Sequence, residues 1–155
     1  MKKKYIFLFL ALLLPILVFL FLKFFGRNEF DIPIQFVNGV PDSLQCEALH
    51  SKGQYILPDS IFKVNTLMGA NLIVGGDESF VSRLKEDFTG KDWQIIFTKD
   101  MTDSLKIKNC ILFLKKPWTA VLVDNQKRIR GYYALHHRDD MDRLIVEMAI
   151  LTKKY

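Results

Sequence analysis

The residues of this chain that are best suited to chemistry are its cysteines and histidines. The sequence contains two cysteines, Cys46 and Cys110, and three histidines, His50, His136 and His137. Thiolates and imidazoles bind copper and zinc, and two thiols that meet can also exchange disulfides. These five side chains therefore define the metal and redox chemistry that the sequence makes available.

A shared metal site is one possible use of these residues. Cys46 and His50 have C-x-x-x-H spacing, and the adjacent pair His136-His137 could join them around one ion. The opposing interpretation is that both segments are polar loops, that adjacent histidines point apart, and that no carboxylate or cysteine cluster reinforces the pattern. We therefore expect no metal ligand and no cofactor.

The two cysteines also allow two interpretations of their own. A disulfide between Cys46 and Cys110 fits an even number of cysteines in an exported, oxidising compartment. Cys110 also begins the apolar run Cys110–Leu114, where a buried free thiol is common. Both interpretations stay open at the level of sequence.

Hydrophobic patterns predict the elements that must position these side chains. Apolar runs predict strands at 71–74, 93–98, 110–114, 119–123 and 128–133. Helical spacing predicts one helix over 80–88, with Asp77 as its cap and Gly90 as its end, and a closing helix over 141–151. The turn at 124–127 makes the last two strands a hairpin. This order predicts a mixed α/β sheet with packed helices.

The N-terminal segment carries the excess positive charge. The formal charge is +5, and five basic residues before position 28 leave 17 basic against 17 acidic side chains in the remainder: Lys2, Lys3, Lys4, Lys23 and Arg27. From Tyr5 to Leu22 no residue is charged, and a helix of that length spans about 27 Å, close to the hydrocarbon thickness of a bilayer. We therefore predict a transmembrane helix at about 5–22.

Three alternatives exist for that helix: a cleaved signal peptide, an uncleaved signal anchor and a buried core helix. The sequence after it, Lys23-Phe24-Phe25-Gly26-Arg27, lacks the small residues that cleavage needs, and apolar residues cover every face. We predict a signal anchor that binds the lipid bilayer, with Lys2, Lys3 and Lys4 holding the N-terminus in the cytoplasm. The predicted location is the cytoplasmic (inner) membrane, single-pass, with a periplasmic or extracytoplasmic domain.

Three regions follow from these patterns. Residues 1–28 form the anchor, and residues 71–155 form the α/β core. Between them, residues 29–70 form an irregular lead-in with Pro33, Pro41 and Pro58, and with an edge strand at 31–37.

The C-terminal part resembles a known family. Leu122-Val123-Asp124, Ile129-Arg130-Gly131 with Tyr133, and Leu144-Ile145 with Glu147 and Leu151 resemble the C-terminal third of the Sco/SenC family. Members are membrane-anchored, thioredoxin-like copper proteins that help to assemble cytochrome oxidase. The likeness covers roughly 119–151, and Lys127 replaces the glycine usual in the hairpin turn. It implies a small thioredoxin-like domain with a central sheet, a C-terminal β-hairpin and a closing helix.

The chemical site of that family is not present in this sequence. The family carries a C-x-x-x-C pair between a strand and a helix, and a histidine before the last central strand. Here that last region is Lys115-Lys116-Pro117-Trp118, so no residue is carried over as a ligand. The resemblance does imply a cis-proline at Pro117 that shapes a peptide-binding edge, whereas a trans proline is the commoner state of X-Pro bonds. We expect Trp118 to be a core residue.

The function predicted from these features is non-catalytic. No nucleotide-binding loop or catalytic triad motif is present, and an uncharged domain without a basic stripe argues against nucleic acid.

We assign Gly75-Gly76 to a strand-to-helix turn, and Arg128, Arg130, Arg138 and Arg143 to solvated surface. The predicted role is contact with an unidentified protein in the exported compartment, in respiratory oxidase assembly if the resemblance holds. The alternative is a thiol-disulfide or copper-handling protein with a rearranged site of Cys46, Cys110 and a histidine.

Overall fold

The computed structural model describes residues 2–25, 31–41, 44, 46, 53–62, 67–76, 79–89 and 91–154. His50, the predicted helix cap Asp77 and the predicted helix end Gly90 lie outside these residues. The chain divides into two compact units, Met1–Asp31 and Ile32–Tyr155.

The first unit contains helix α1 (Lys2–Phe25), with Pro15 inside it. The predicted transmembrane signal anchor is wrong: the described residues contain no helix that is both long enough and apolar enough to cross a membrane. The same finding overturns three further predictions: the transmembrane part of the fold, the orientation assigned to Lys2, Lys3 and Lys4, and the single-pass location in the inner membrane.

The second unit is built on a four-stranded mixed sheet flanked by helices. Its elements in chain order are β1 (Ala70–Val74), α2 (Ser79–Asp87), β2 (Trp93–Phe97), α3 (Ser104–Lys106), which runs on into a π-helical turn (Ile107–Ile111), β3 (Ala120–Asp124), β4 (Ile129–Tyr133) and α4 (Arg138–Lys154). The strand order is β2-β1-β3-β4. β1 is parallel to β2 and antiparallel to β3, and β4 is antiparallel to β3.

The two central strands are buried because both faces of the sheet are covered. All five residues of β1 and all five of β3 are buried, and successive side chains point to opposite faces. One face packs Leu72 and Leu122 against α2 and α4 through residues such as Leu84 and Leu144. The other packs Ile73, Val121 and Val123 against the lead-in and the segment that ends at Leu114.

The lead-in lacks the predicted edge strand but still contributes to the core. Residues 35–38 form a turn, and one backbone hydrogen bond, from Gln35 N to Ile129 O at 2.8 Å, joins this region to β4. Tyr55, Leu57 and Ile61 are almost fully buried on the second face of the sheet. The irregular lead-in therefore acts as the cover that a regular helix would otherwise supply.

The predicted strand at 110–114 is wrong. The backbone N–H of Leu112 donates to Ile107 O at 2.9 Å, five residues back, as in a π-helical turn. Phe113 then takes a positive φ of 53°. Leu112 and Phe113 are buried, so their apolar character reflects packing of a helical turn onto the sheet, which the sequence run does not distinguish from strand pairing.

Candidate functional site

The two cysteines are joined to each other. Cys46 and Cys110 form a disulfide with their Cα atoms 5.5 Å apart, so neither is a free thiol. Cys110 lies in the π-helical turn, and two tyrosines hold the end of that turn. Tyr55 Oη donates to Ile111 O, and Tyr132 Oη donates to Leu112 O, each at 2.9 Å.

The histidines that the structure describes lie elsewhere. His136 and His137 are exposed in the turn between β4 and α4, with their ring centroids 4.1 Å apart. The expectation that these rings point apart is wrong. Within the described part of the chain, no group of three or more His, Cys, Asp or Glu side chains is arranged to hold a metal ion.

The turn after β1 is closely packed by the loop before β3. The N–H of Gly75 donates to Thr119 O at 2.9 Å. A Cβ atom on Gly75 would overlap the side chain of Leu114, and one on Gly76 would lie 3.4 Å from Thr119 Cβ. The backbone at Gly75 therefore lies directly against the loop before β3, and a side chain at this position would require Leu114 to move.

The loop before β3 contains Pro117 and Trp118. The peptide bond between Lys116 and Pro117 is cis. Trp118 is 42% exposed, which corrects its expected place in the core. Its ring lies 5.3 Å from the ring of Tyr132 on β4, at an interplanar angle of 37°.

Trp118 and Tyr132 line a groove at the outer edge of β4, with a cavity volume of about 410 Å³. We call it the β4 groove. Its volume lies in the range of about 300–1,000 Å³ that is typical of ligand sites. The strand itself contributes Arg130, Gly131 and Tyr132.

Aromatic side chains make up much of the lining of the β4 groove. Phe36 from the lead-in and Phe113 contact each other at 5.3 Å between ring centroids, and both line the groove. Both also have a left-handed backbone, with φ of 56° and 53°. Bulky residues seldom adopt this conformation, and such strain is concentrated at functional sites.

Charged side chains from β4 and α4 also line the β4 groove. Arg143 donates from Nη2 to Tyr132 O at 2.7 Å, and its guanidinium lies 4.7 Å from the ring centroid of Tyr133. Glu147 accepts a short hydrogen bond from Tyr133 Oη. Burial, reinforced by that carboxylate, raises the pKa of Tyr133 well above its ordinary value. The carboxylate is thus engaged inside the fold.

Arg130 is a buried residue, and its expected place on the solvated surface is wrong. It is 3% exposed, donates from Nε to Asp124 Oδ2 at 2.8 Å, and donates from Nη1 to Ile32 O at 2.6 Å. Arg128 also donates to Asp124 Oδ2, at 2.7 Å, with its side chain 16% exposed. Arg130 thus fixes the lead-in to the hairpin, while Arg128 reinforces the hairpin turn.

The sequence alone gave no direct signal for the β4 groove. Its residues come from the lead-in, the loop before β3, β4 and α4, and are brought together by the sheet order. One sequence feature does point to the groove: Pro117 and Trp118 stand directly after Lys115 and Lys116. Comparison of the chain with protein-family models, curated proteins and solved structures finds no match. The function is therefore inferred from the residues of the groove.

Proposed function

We propose that this protein is a non-catalytic binding module of thioredoxin-like topology that acts by contact with another protein through the β4 groove. The supporting topology is a parallel β1–β2 pair with α2 between them in the chain, followed by an antiparallel hairpin and a closing helix. The resemblance to the Sco/SenC family suggests respiratory oxidase assembly as the setting.

The observation that carries the proposal is the contrast between the turn after β1 and the β4 groove. The described part of the turn between β1 and α2, where that family carries its cysteine pair, is Gly75-Gly76, whose backbone lies against Thr119 and the side chain of Leu114. By contrast, the exposed Trp118 and the partly buried Tyr132 line an open groove. Tryptophan and tyrosine are enriched among the residues that dominate binding at protein interfaces. The chemistry supports recognition at the groove better than redox chemistry at the turn.

Two assays on the full chain test the non-catalytic part of the proposal. We expect no disulfide-reductase turnover with a dithiol reductant, and no stoichiometric binding in a Cu(I) titration. The matched comparison is the double variant Cys46→Ser/Cys110→Ser, which should give the same two results. Turnover or tight copper binding that the double variant loses would overturn the proposal in favour of a copper or thiol protein that uses Cys46 and Cys110.

A further inference from the structure

The β4 groove combines an aromatic surface with hydrogen-bond donors. We infer that its occupant is an extended peptide segment in which a large apolar or aromatic side chain is closely followed by a carboxylate. This inference rests on the proposed function and adds the chemical class of the partner segment.

The apolar part of the segment is assigned by the rings. Trp118 is partly exposed and lies against Tyr132, and Phe36 and Phe113, which contact each other, also line the groove. Aromatic rings prefer to pack on other rings and apolar groups in offset or tilted arrangements. An apolar side chain of the peptide is therefore expected to pack against Trp118.

The carboxylate is assigned by the charges that face the groove. Lys115 is exposed, and the side chain of Arg143 is 50% exposed. The acidic group of the groove, Glu147, is engaged by the Tyr133 hydroxyl and lies 3.7 Å from Arg143 Nε. Asp140 Oδ1 lies 3.3 Å from Arg143 Nη2, and this carboxylate offsets part of the positive charge of Arg143. Lys115 therefore makes the larger contribution to attraction of an anion.

We expect the peptide to be recognised through side-chain contacts in the groove, and not by pairing its backbone with β4 as an additional strand. The carbonyl of Ile129 already accepts a hydrogen bond from Gln35 N, and that of Tyr132 accepts one from Arg143. Since these acceptors of the strand are engaged, recognition falls to side chains, which give sequence selectivity.

The test uses the full chain and a panel of short fluorescein-labelled synthetic peptides read by fluorescence polarisation. Each peptide carries Phe or Leu with Asp or Glu one to three positions later, and matched peptides replace the acid by Gln or Lys. We expect binding of the acidic peptides, weaker binding of the Gln set and weakest binding of the Lys set. The differences should shrink as salt is raised, because exposed charges are screened.

Variants of the chain locate the binding on the groove. Lys115→Glu should weaken binding of the acidic peptides about fivefold, the size of effect expected when one exposed ion pair is lost. The matched control, Lys116→Glu, changes the same charge one residue along, outside the groove lining, and should have a smaller effect. Trp118→Ala should weaken all apolar peptides, and Trp118→Phe should restore part of the loss. Thermal unfolding of each variant checks that the fold is kept.

The outcomes separate this inference from the proposed function. Equal binding of acidic, Gln and Lys peptides would overturn the inference and leave groove-mediated contact standing. Equal weakening by Lys115→Glu and Lys116→Glu would also overturn it, because charge would then act from outside the groove. Failure of every peptide to bind would overturn the inference as well, while photo-crosslinking from position 118 to another protein would still test the proposed function.

Discussion

Arg130 Nε donates a hydrogen bond to Asp124 Oδ2 at 2.8 Å, and both side chains are buried. The same carboxylate accepts from Arg128 Nε through Oδ2 and from the backbone N–H groups of Gln126 and Arg128 through Oδ1. One acidic side chain thus holds the turn of the hairpin and, through Arg130, the lead-in at Ile32.

We predict that Asp124→Asn lowers the free energy of unfolding by about 3 kcal/mol, because it leaves buried guanidinium groups without a full counter-charge. Urea unfolding of the full chain measures this. The matched control is Asp142→Asn, which removes an exposed ion pair at 3.8 Å and should cost less than about 1 kcal/mol. Equal effects of the two variants would contradict the structural role of Asp124.

The disulfide should stabilise the second unit. Cys46 and Cys110 are 64 residues apart in sequence, and closing a loop of that size stabilises a fold by about 2–4 kcal/mol. Cys46→Ser, Cys110→Ser and the double variant should lose similar amounts in urea unfolding, since each breaks the same bond. The mass of the native protein after alkylation, with and without reductant, checks the bond itself. Alkylation of both cysteines without reductant would show that the pairing is absent.

Stability at alkaline pH should depend on Tyr55. Burial raises its pKa to about 12, against about 10 in an unfolded chain. Because the folded state holds the proton more tightly, the contribution of Tyr55 to stability is fully present below pH about 10 and is lost as pH rises towards 12. Burial also raises the pKa of Tyr132 and Tyr133, so Tyr55→Phe should make the fall shallower without abolishing it. An unchanged slope in urea unfolding between pH 10 and 12 would contradict the prediction.

Lys127 is a further position with a testable cost. It takes a positive φ of 63° in the hairpin turn, where a residue with a Cβ atom is disfavoured relative to glycine. Lys127→Gly should raise the free energy of unfolding by about 0.5–1 kcal/mol. Lys127→Ala is the control, because it also removes the exposed ion pair with Asp59 but keeps the strained conformation. A gain in the alanine variant equal to that in the glycine variant would rule out backbone conformation as the cause.

The parts of the fold that could be predicted from sequence are those set by local pattern. The β-rich run at 71–74, the hairpin turn at 124–127 and the helical spacing of Met141, Leu144, Met148 and Leu151 appear as β1, the β3–β4 turn and α4. In each of these segments the local order of apolar, polar and turn-forming residues is enough to indicate the secondary structure. Lys127, in the hairpin turn, has a left-handed backbone with φ of 63°, which the pattern of apolar residues does not indicate.

The remaining parts depend on tertiary contacts. The run at 110–114 is apolar in either a strand or a packed helical turn, so the sequence does not decide between them. From sequence Arg130 looks like a surface residue, because only the fold shows that the carboxylate of Asp124 and the carbonyl of Ile32, 98 residues away, satisfy its buried guanidinium. The β4 groove joins four separate stretches of chain, and no spacing rule connects Phe36, Trp118 and Arg143.

Site-specific photo-crosslinking in the cells that make this protein tests its central claim most directly. A photoreactive phenylalanine analogue is placed at Trp118, in the β4 groove, and separately at Leu105, which is 75% exposed and does not line the groove. We expect a discrete adduct with another protein from position 118 and none from position 105. Equal adducts at both positions, or none at position 118, would contradict the proposal that this domain acts by protein contact through the groove.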